Sequence, residues 1–181
     1  MTTYKRASGS LFALGLGLLV LAAAPAAAGS DGSYGYVRAI EGSATLIPTG
    51  SNDRDGAELN HPVLAGDRFI VPARSRMELV LADRNIVRID GGSEILLERL
   101  AASPDANDRA TVLRLLEGNL QLVVLEDSLG DELPRVETPN ATVYTQHYGV
   151  YRVTAHPDGW SEVVVRKGKA EVVTERGATQ V

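Results

Sequence analysis

The sequence predicts an all-β fold, a single-domain sandwich or roll of about ten short strands. Three observations predict it. Apolar and polar residues alternate in short runs, which is the period of a strand. Turn-forming residues separate these runs roughly every 8–12 residues. A strand–glycine–strand unit also occurs three times, around Gly42, Gly118 and Gly168.

The repeated unit carries apolar residues five and three positions before its glycine, and two and four positions after it. The apolar side therefore switches parity at the glycine. A two-residue turn at Glu41-Gly42 would explain this by closing a hairpin in which Val37 faces Leu46. A bulge that bends a continuous strand would explain it equally well. Both interpretations place the glycine at a position that is expected to need a positive φ.

The other elements follow from alternation and turn residues. Strand runs are predicted at 36–47, 61–71 (around a turn at 65–67), 77–82, 86–89, 94–100, 111–123, 136–144, 148–153 and 163–173, and loops at 48–60, 102–110 and 126–134. Cap residues at 105–108 would allow a helix at 111–116, but Gly118 and the repeat favour a strand there. Pro139 is expected at an edge or a bulge, and 157–159 at a hairpin turn.

The first 28 residues are predicted to be a signal peptide. Lys5 and Arg6 precede an apolar stretch at 11–24, and small residues at 26–28 suit cleavage before Gly29. An uncleaved anchor is the alternative, but the stretch decays into Ala and Pro before it reaches the length of a membrane span. Residues 29–35 then form a polar lead, and we expect the exported protein to be periplasmic or secreted, without a stable membrane span.

Composition excludes several classes of protein. The chain has a net charge of −5 and no basic stripe, so nucleic acid is a poor partner. It contains no cysteine, which excludes a disulfide framework and a lipid anchor on the mature N-terminus. Stability must therefore come from an aliphatic core.

Several segments, taken together, resemble the FecR domain family. They are Leu64-Ala-Gly-Asp-Arg, the strands at 77–81 and 86–89, Val136-Glu-Thr-Pro-Asn-Ala-Thr-Val, Gly149-Val-Tyr-Arg-Val and Val163-Val-Val-Arg-Lys-Gly-Lys-Ala-Glu-Val. The resemblance covers most of 62–173, and it implies an all-β domain at 36–175, outside the inner membrane and without catalytic activity. The tail at 176–181 is consistent with a truncated copy of a longer chain.

Signalling members of that family relay the state of an outer-membrane transporter to a cytoplasmic sigma factor. They carry a cytoplasmic segment ahead of their membrane span, whereas only residues 1–10 precede the apolar stretch here. The usual Gly-Thr before the aromatic strand is also replaced around His147-Tyr148-Gly149. The resemblance therefore implies the fold more directly than the signalling role.

No catalytic, cofactor or metal site is predicted. His61, His147 and His156 lack the spacing of zinc ligands. Asp83, Asp90 and Asp158 each stand within two residues of an Asn or a Gly, where turn hydrogen bonds are the commoner use of an aspartate. The serines form no G-x-S-x-G elbow, and no glycine run has the pattern of a phosphate loop.

The candidate recognition residues are aromatic. Tyr144 and Tyr148 bracket His147, and we predict a recognition surface there, the alternative being strand tyrosines that pack flat on their neighbours. Trp160 is either a binding platform or a cover for one end of the fold, and burial is the commoner fate of a lone tryptophan.

The sequence thus favours a non-enzymatic exported module that binds another protein of the bacterial cell envelope, for which exposed strand edges are one means. The alternative is a module that binds cell-wall glycan through Trp160 and nearby tyrosines. A hydrolase ranks below both, and no cofactor is expected.

Overall fold

The computed structural model describes residues 34–101, 110–128 and 132–181. These residues form fifteen strands and no helix, which confirms the all-β class with more strands than the sequence predicted. The predicted signal peptide and most of the polar lead lie outside the described residues, as do most of the loop at 102–110 and part of that at 126–134.

The strands range in length from two to thirteen residues. They are β1 (Gly35–Glu41), β2 (Thr45–Ile47), β3 (Asp55–Gly56), β4 (Pro62–Val63), β5 (Arg68–Val71), β6 (Arg76–Val80), β7 (Ile86–Ile89), β8 (Ser93–Arg99), β9 (Val112–Val124), β10 (Arg135–Glu137), β11 (Thr142–Thr145), β12 (Gly149–Ala155), β13 (Ser161–Lys167), β14 (Ala170–Thr174) and β15 (Gly177–Gln180).

One continuous sheet contains all these strands, and β9 divides it into two halves. Residues 118–124 of β9 pair with β7 and β12, in a front half ordered β4-β1-β6-β7-β9-β12-β13. Residues 112–117 pair with β8 and, in part, with β10, in a back half ordered β3-β2-β5-β8-β9-β10-β11-β14-β15. Among the strand pairings of the described residues, only that of β9 with β10 is parallel.

Each of the three repeated glycines stands where the chain passes from one half to the other. Gly42 separates β1 from β2, Gly118 lies inside β9, and Gly168 separates β13 from β14, with φ values of 82°, 89° and 100°. The flanking strands of a unit do not pair with each other; β1, for example, pairs with β4 and β6. The hairpin interpretation is therefore wrong, and the bent-strand interpretation is confirmed for the unit around Gly118.

The buried faces of the two halves form one hydrophobic cluster. It is mainly Val, Leu and Ile, and Phe69 and Tyr151 are its aromatic members, both 0% exposed. The inward residues of β9, such as Leu115 and Leu120 on either side of the bend, belong to this same cluster. The change of parity at Gly118 is what lets both ends of β9 face one core.

Three local expectations differ from the structure. The run at 136–144 is two antiparallel strands, β10 and β11, and Pro139 lies in the turn between them instead of at an edge or a bulge. The predicted loop at 48–60 contains the short strand β3, which pairs with β2. The segment after 175, treated as a tail, contributes β15, which extends the back half beside β14.

The run at 111–116 is strand, as predicted, because β9 covers it without interruption. Within the described part of the chain, no helix is long and apolar enough to cross a bilayer.

Candidate recognition surface

A row of apolar side chains crosses the solvent face of the front half. Cross-strand register places its members side by side on five adjacent strands: Tyr36, Val80, Ile86, Val123 and Val150. The chain neighbours of these residues are buried, so the row itself points away from the core. Strands lie about 4.8 Å apart, which makes this apolar row about 20 Å long.

Tyr148 stands at one end of the apolar row. Lys167 is the cross-strand partner of Val150, and its ammonium lies 5.0 Å from the centre of the Tyr148 ring. This is the geometry of a cation–π contact. Tyr148 is 42% exposed, and Tyr36 at the other end of the row is 39% exposed. Amphipathic rings therefore bracket a stretch of aliphatic side chains.

A second row, rich in arginine, runs beside the apolar row. It contains Arg38, Glu78, Arg88, Gln121 and Arg152 on the same five strands. Glu78 accepts from Arg38 Nε at 3.1 Å and from Arg88 Nε at 2.6 Å, and Arg88 also donates to Gln121 at 3.0 Å. Three cations against one carboxylate make this row positive on a chain whose net charge is −5.

Tyr144 lies on the back half, away from the apolar row. It is on β11, between Arg135 and Glu171 of the neighbouring strands, and the Arg135 guanidinium carbon is 6.0 Å from its ring centre. His147 lies in the connection from β11 to β12 with its side chain exposed. The three residues predicted to form one cluster are thus divided between two halves of the sheet.

Tyr151 holds this connection in place from the inside. Its ring is 0% exposed, and its hydroxyl lies 2.5 Å from the carbonyl oxygen of His147 and 3.1 Å from that of Lys169. Burial raises the pKa of Tyr151. The hydroxyl thus links the β13–β14 connection at Lys169 to His147, which precedes β12.

Trp160 is exposed, contrary to the commoner expectation of burial. It is 48% exposed, and its ring stacks on His156 with the ring centres 3.5 Å apart and the planes within 12°. It borders a groove of about 440 Å³. The other lining residues come from three turns, and they are Pro139, Asn140, Gly159, Thr174, Glu175 and Arg176.

Hydrogen bonds join two of these turns, one from each half of the sheet. The Asn140 side chain donates to the carbonyl of Gly159 at 3.0 Å, and Ser161 Oγ donates to Asn140 Oδ1 at 2.6 Å. Trp160 and Tyr148 stand at opposite ends of β12 and its partner β13. The seven residues of β12 separate them by about 20 Å, so Trp160 does not belong to the same surface as Tyr148.

Asp83 has a structural role in a turn, as predicted. It is 1% exposed, and its carboxylate accepts from the Asn85 N–H at 3.0 Å and from the Thr111 hydroxyl at 2.5 Å. Burial raises the pKa of Asp83, against the opposing effect of these hydrogen bonds. Among the described residues, no group of three or more His, Asp or Glu side chains could hold a metal ion.

The sequence analysis did not predict the apolar row. A signal for it exists, because Ile86-Val87 and Leu122-Val123-Val124 are apolar at both parities of their strands. Such runs are also typical of strands that are buried on both faces. Only the register between strands shows that their outward members are aligned.

The family model described as FecR protein matches residues 67–171, more than half of the 181-residue chain. The chain belongs to the FecR protein family. The matched segment begins just before β5 and ends within β14, so the FecR match includes most of both halves of the sheet.

Two crystal structures of a candidate anti-sigma factor from Parabacteroides distasonis ATCC 8503 resemble this FecR protein. Their TM-scores are both 0.52, the identities are 20% and 19%, and each match covers 63% of this chain and 50% of that chain. The chain therefore spans about half the length of these structures, and the likeness shows a shared fold. No curated protein matches the chain.

Proposed function

We propose that this FecR protein is an exported, non-enzymatic regulatory module that binds another protein in the bacterial cell envelope. The observation that carries the proposal is the apolar row beside the arginine-rich row. Contiguous apolar side chains on a solvent face, rimmed by charge, are typical of protein interaction sites. Membership of the FecR family and the fold shared with a candidate anti-sigma factor support the regulatory part.

The charge of the surface indicates the chemistry of the partner. Arg38, Arg88 and Arg152 would attract a surface that carries carboxylates next to its own apolar side chains. The apolar row and the arginine-rich row are two residues apart along each strand, or about 6.8 Å. The carboxylates of the partner would therefore lie at about this distance from its apolar side chains. Such electrostatic complementarity favours encounter and orientation more than it adds affinity.

Photo-crosslinking tests this proposal in living bacteria. A photoreactive phenylalanine analogue replaces Val123 or Val150 in the apolar row, and Thr142 or Thr179 on the back half serves as the matched control. We expect the same crosslinked protein from both row positions and none from the controls. Absence of crosslinks at the row, or equal crosslinks at all four positions, would contradict the proposal.

The export part has its own test. Intact mass and N-terminal sequencing of the protein recovered from the periplasm or medium should give a chain that starts at Gly29. A product that keeps Met1 and sediments with membranes would show an uncleaved anchor instead.

A second candidate function is cell-wall glycan binding at the groove beside Trp160. Its specific support is the exposed indole, which has His156 on one face, in a groove with polar side chains. Trp160 is the only tryptophan of the chain, so its emission reports this groove alone. We expect titration with purified peptidoglycan fragments to shift the Trp160 emission. An unchanged spectrum would exclude glycan binding at this groove.

A further inference from the structure

The strand β13 leaves one edge of the front half open. Within the described residues it pairs with β12 alone. The other three sheet ends are poor docking sites, because β3 and β4 have two residues each, and β15 is a four-residue Gly-Ala-Thr-Gln strand that is exposed throughout. In contrast, β13 has seven residues, and three consecutive valines form its centre.

A long, uncovered apolar edge strand is a template for pairing with another strand. Val163 and Val165 face the core side of the sheet and pack against the core cluster, yet they are only partly buried. Val164 on the opposite face is 38% exposed. The inner face is therefore incompletely covered at this edge.

The free hydrogen-bonding groups of β13 can be assigned from its register. The N–H of His156 donates to the carbonyl of Trp160 at 2.9 Å, and Thr154 pairs with Glu162. Antiparallel pairs alternate between bonded and non-bonded, so the backbone groups of Glu162 and Val164 point to β12. Those of Val163 and Val165 point to the open edge.

The sequence of β13 allows two copies of this strand to pair with each other. If two copies pair antiparallel about a two-fold axis at Val164, each Val163 lies opposite Val165 of the second copy. These are the residues whose backbone groups are free, so they form bonded pairs. Glu162 then lies opposite Arg166 of the second copy, and two cross-strand ion pairs flank the valines. A shift of the register by two residues would lose both.

We propose that this protein forms a symmetric homodimer in which the β13 strands of two copies pair antiparallel, centred on Val164. The pairing joins the two front halves into one continuous sheet and covers Val163 and Val165. The bulge of β13 falls at Arg166, between Val165 and Lys167. It ends the regular pairing at Arg166, so the interface is small and the dimer is expected to be weak.

Single cysteines test the register, because the chain contains no cysteine of its own. In Val164→Cys, each new cysteine lies opposite the same cysteine of the second copy, at a non-hydrogen-bonded position. The two Cα atoms there are about 4.5 Å apart, so a disulfide can form. We expect mild oxidation to link this variant into dimers. Glu162→Cys and Arg166→Cys should each form no disulfide-linked dimer alone, and an equal mixture of the two should give the disulfide-linked mixed dimer.

Charge reversal tests the ion pairs independently, by analytical ultracentrifugation of the purified protein. Arg166→Glu creates two like-charge oppositions and should weaken dimerisation by about tenfold. The double variant E162R/R166E restores opposite charges and should return the dissociation constant to within about threefold of the parent. Circular dichroism verifies that these surface variants keep the fold.

Two results would overturn the proposal. One is a parent protein that remains monomeric at about 1 mM, a concentration at which even weak specific dimers form. The other is equal disulfide formation by Val164→Cys, Glu162→Cys and Arg166→Cys, since that would show random collision instead of one register.

Discussion

At Gly118 the backbone has a φ of 89°, and β9 leaves the back half for the front half at this residue. A Cβ atom there would lie 2.6 Å from the carbonyl oxygen of Gly92 and 2.5 Å from the Cα of Ser93. Both neighbours are backbone atoms, which cannot move aside as a flexible side chain can. The bend therefore requires glycine for conformation and for space.

The substitution Gly118→Ala should lower the free energy of unfolding by at least about 2 kcal/mol, through strain at positive φ and overpacking. Gly50→Ala is the matched control, because Gly50 has a φ of 72° but nothing within 4 Å of the added Cβ. It should cost about 1 kcal/mol. Urea denaturation measures both variants, and equal losses would show that close approach at Gly118 has no energetic effect.

Asp83 gives the protein a specific pH dependence. Its pKa is raised in the folded state, mainly by burial, so the folded protein holds this proton more tightly than the unfolded chain does. Ionisation of Asp83 therefore costs stability as the pH rises from the ordinary value of 3.8 through the raised pKa. The Asp83→Asn variant has no such ionisation.

The free energy of unfolding of the parent, minus that of Asp83→Asn, should decrease with pH across this window and be constant above it. Urea denaturation of both proteins from about pH 3 to about pH 7 measures the difference. A difference that increases with pH would mean that the hydrogen bonds from Thr111 and Asn85 outweigh burial.

At the scale of elements, the contrast between β9 and β13 explains how the sheet is both held together and left open. β9 pairs with four strands, β7, β8, β10 and β12, and its inward residues lie in the core. In the part of the chain that the structure describes, β13 pairs with one strand and leaves alternate backbone groups free. Stability is accordingly expected to fall from the centre of the sheet to this edge.

Amide hydrogen exchange at two protein concentrations distinguishes the two sides of β13. The amides of Glu162 and Val164 bond to β12, so their exchange should be slow relative to those of Val163 and Val165 at low concentration. Raising the concentration should slow Val163 and Val165 if the β13 edges pair. Exchange that does not depend on concentration would contradict edge pairing.

At the scale of the whole molecule, the two halves are not independent units. They share β9 and one hydrophobic cluster, and the hydrogen bond from Asn140 to Gly159 joins their turns. Neither half can unfold without exposing the core of the other. Cooperative, two-state unfolding is the expected consequence.

Urea titration followed by two-dimensional NMR tests this expectation. Amide signals from the front half, such as that of Val87, and from the back half, such as that of Val143, should disappear at the same midpoint, which should also match far-UV circular dichroism. Separate midpoints would show that the halves unfold one after the other.

The sequence alone determined the all-β class, the position of most strands and the family. Alternation and turn residues are local properties. They predict the strand at Met77 and the turn at Asp158-Gly159 without knowledge of the rest of the chain. The sequence also indicated that Gly42, Gly118 and Gly168 have a common structural role, because apolar residues stand at the same spacings before and after each of them.

Only the tertiary structure decided what those glycines do and which side chains share a surface. The same parity switch suits a hairpin or a bend, and strand pairing alone distinguishes them. Val80, Val123 and Val150 form one row because register aligns them, and Tyr144 and Tyr148 separate because the chain crosses between halves. Register and crossing depend on contacts between residues far apart in sequence, which no local pattern encodes.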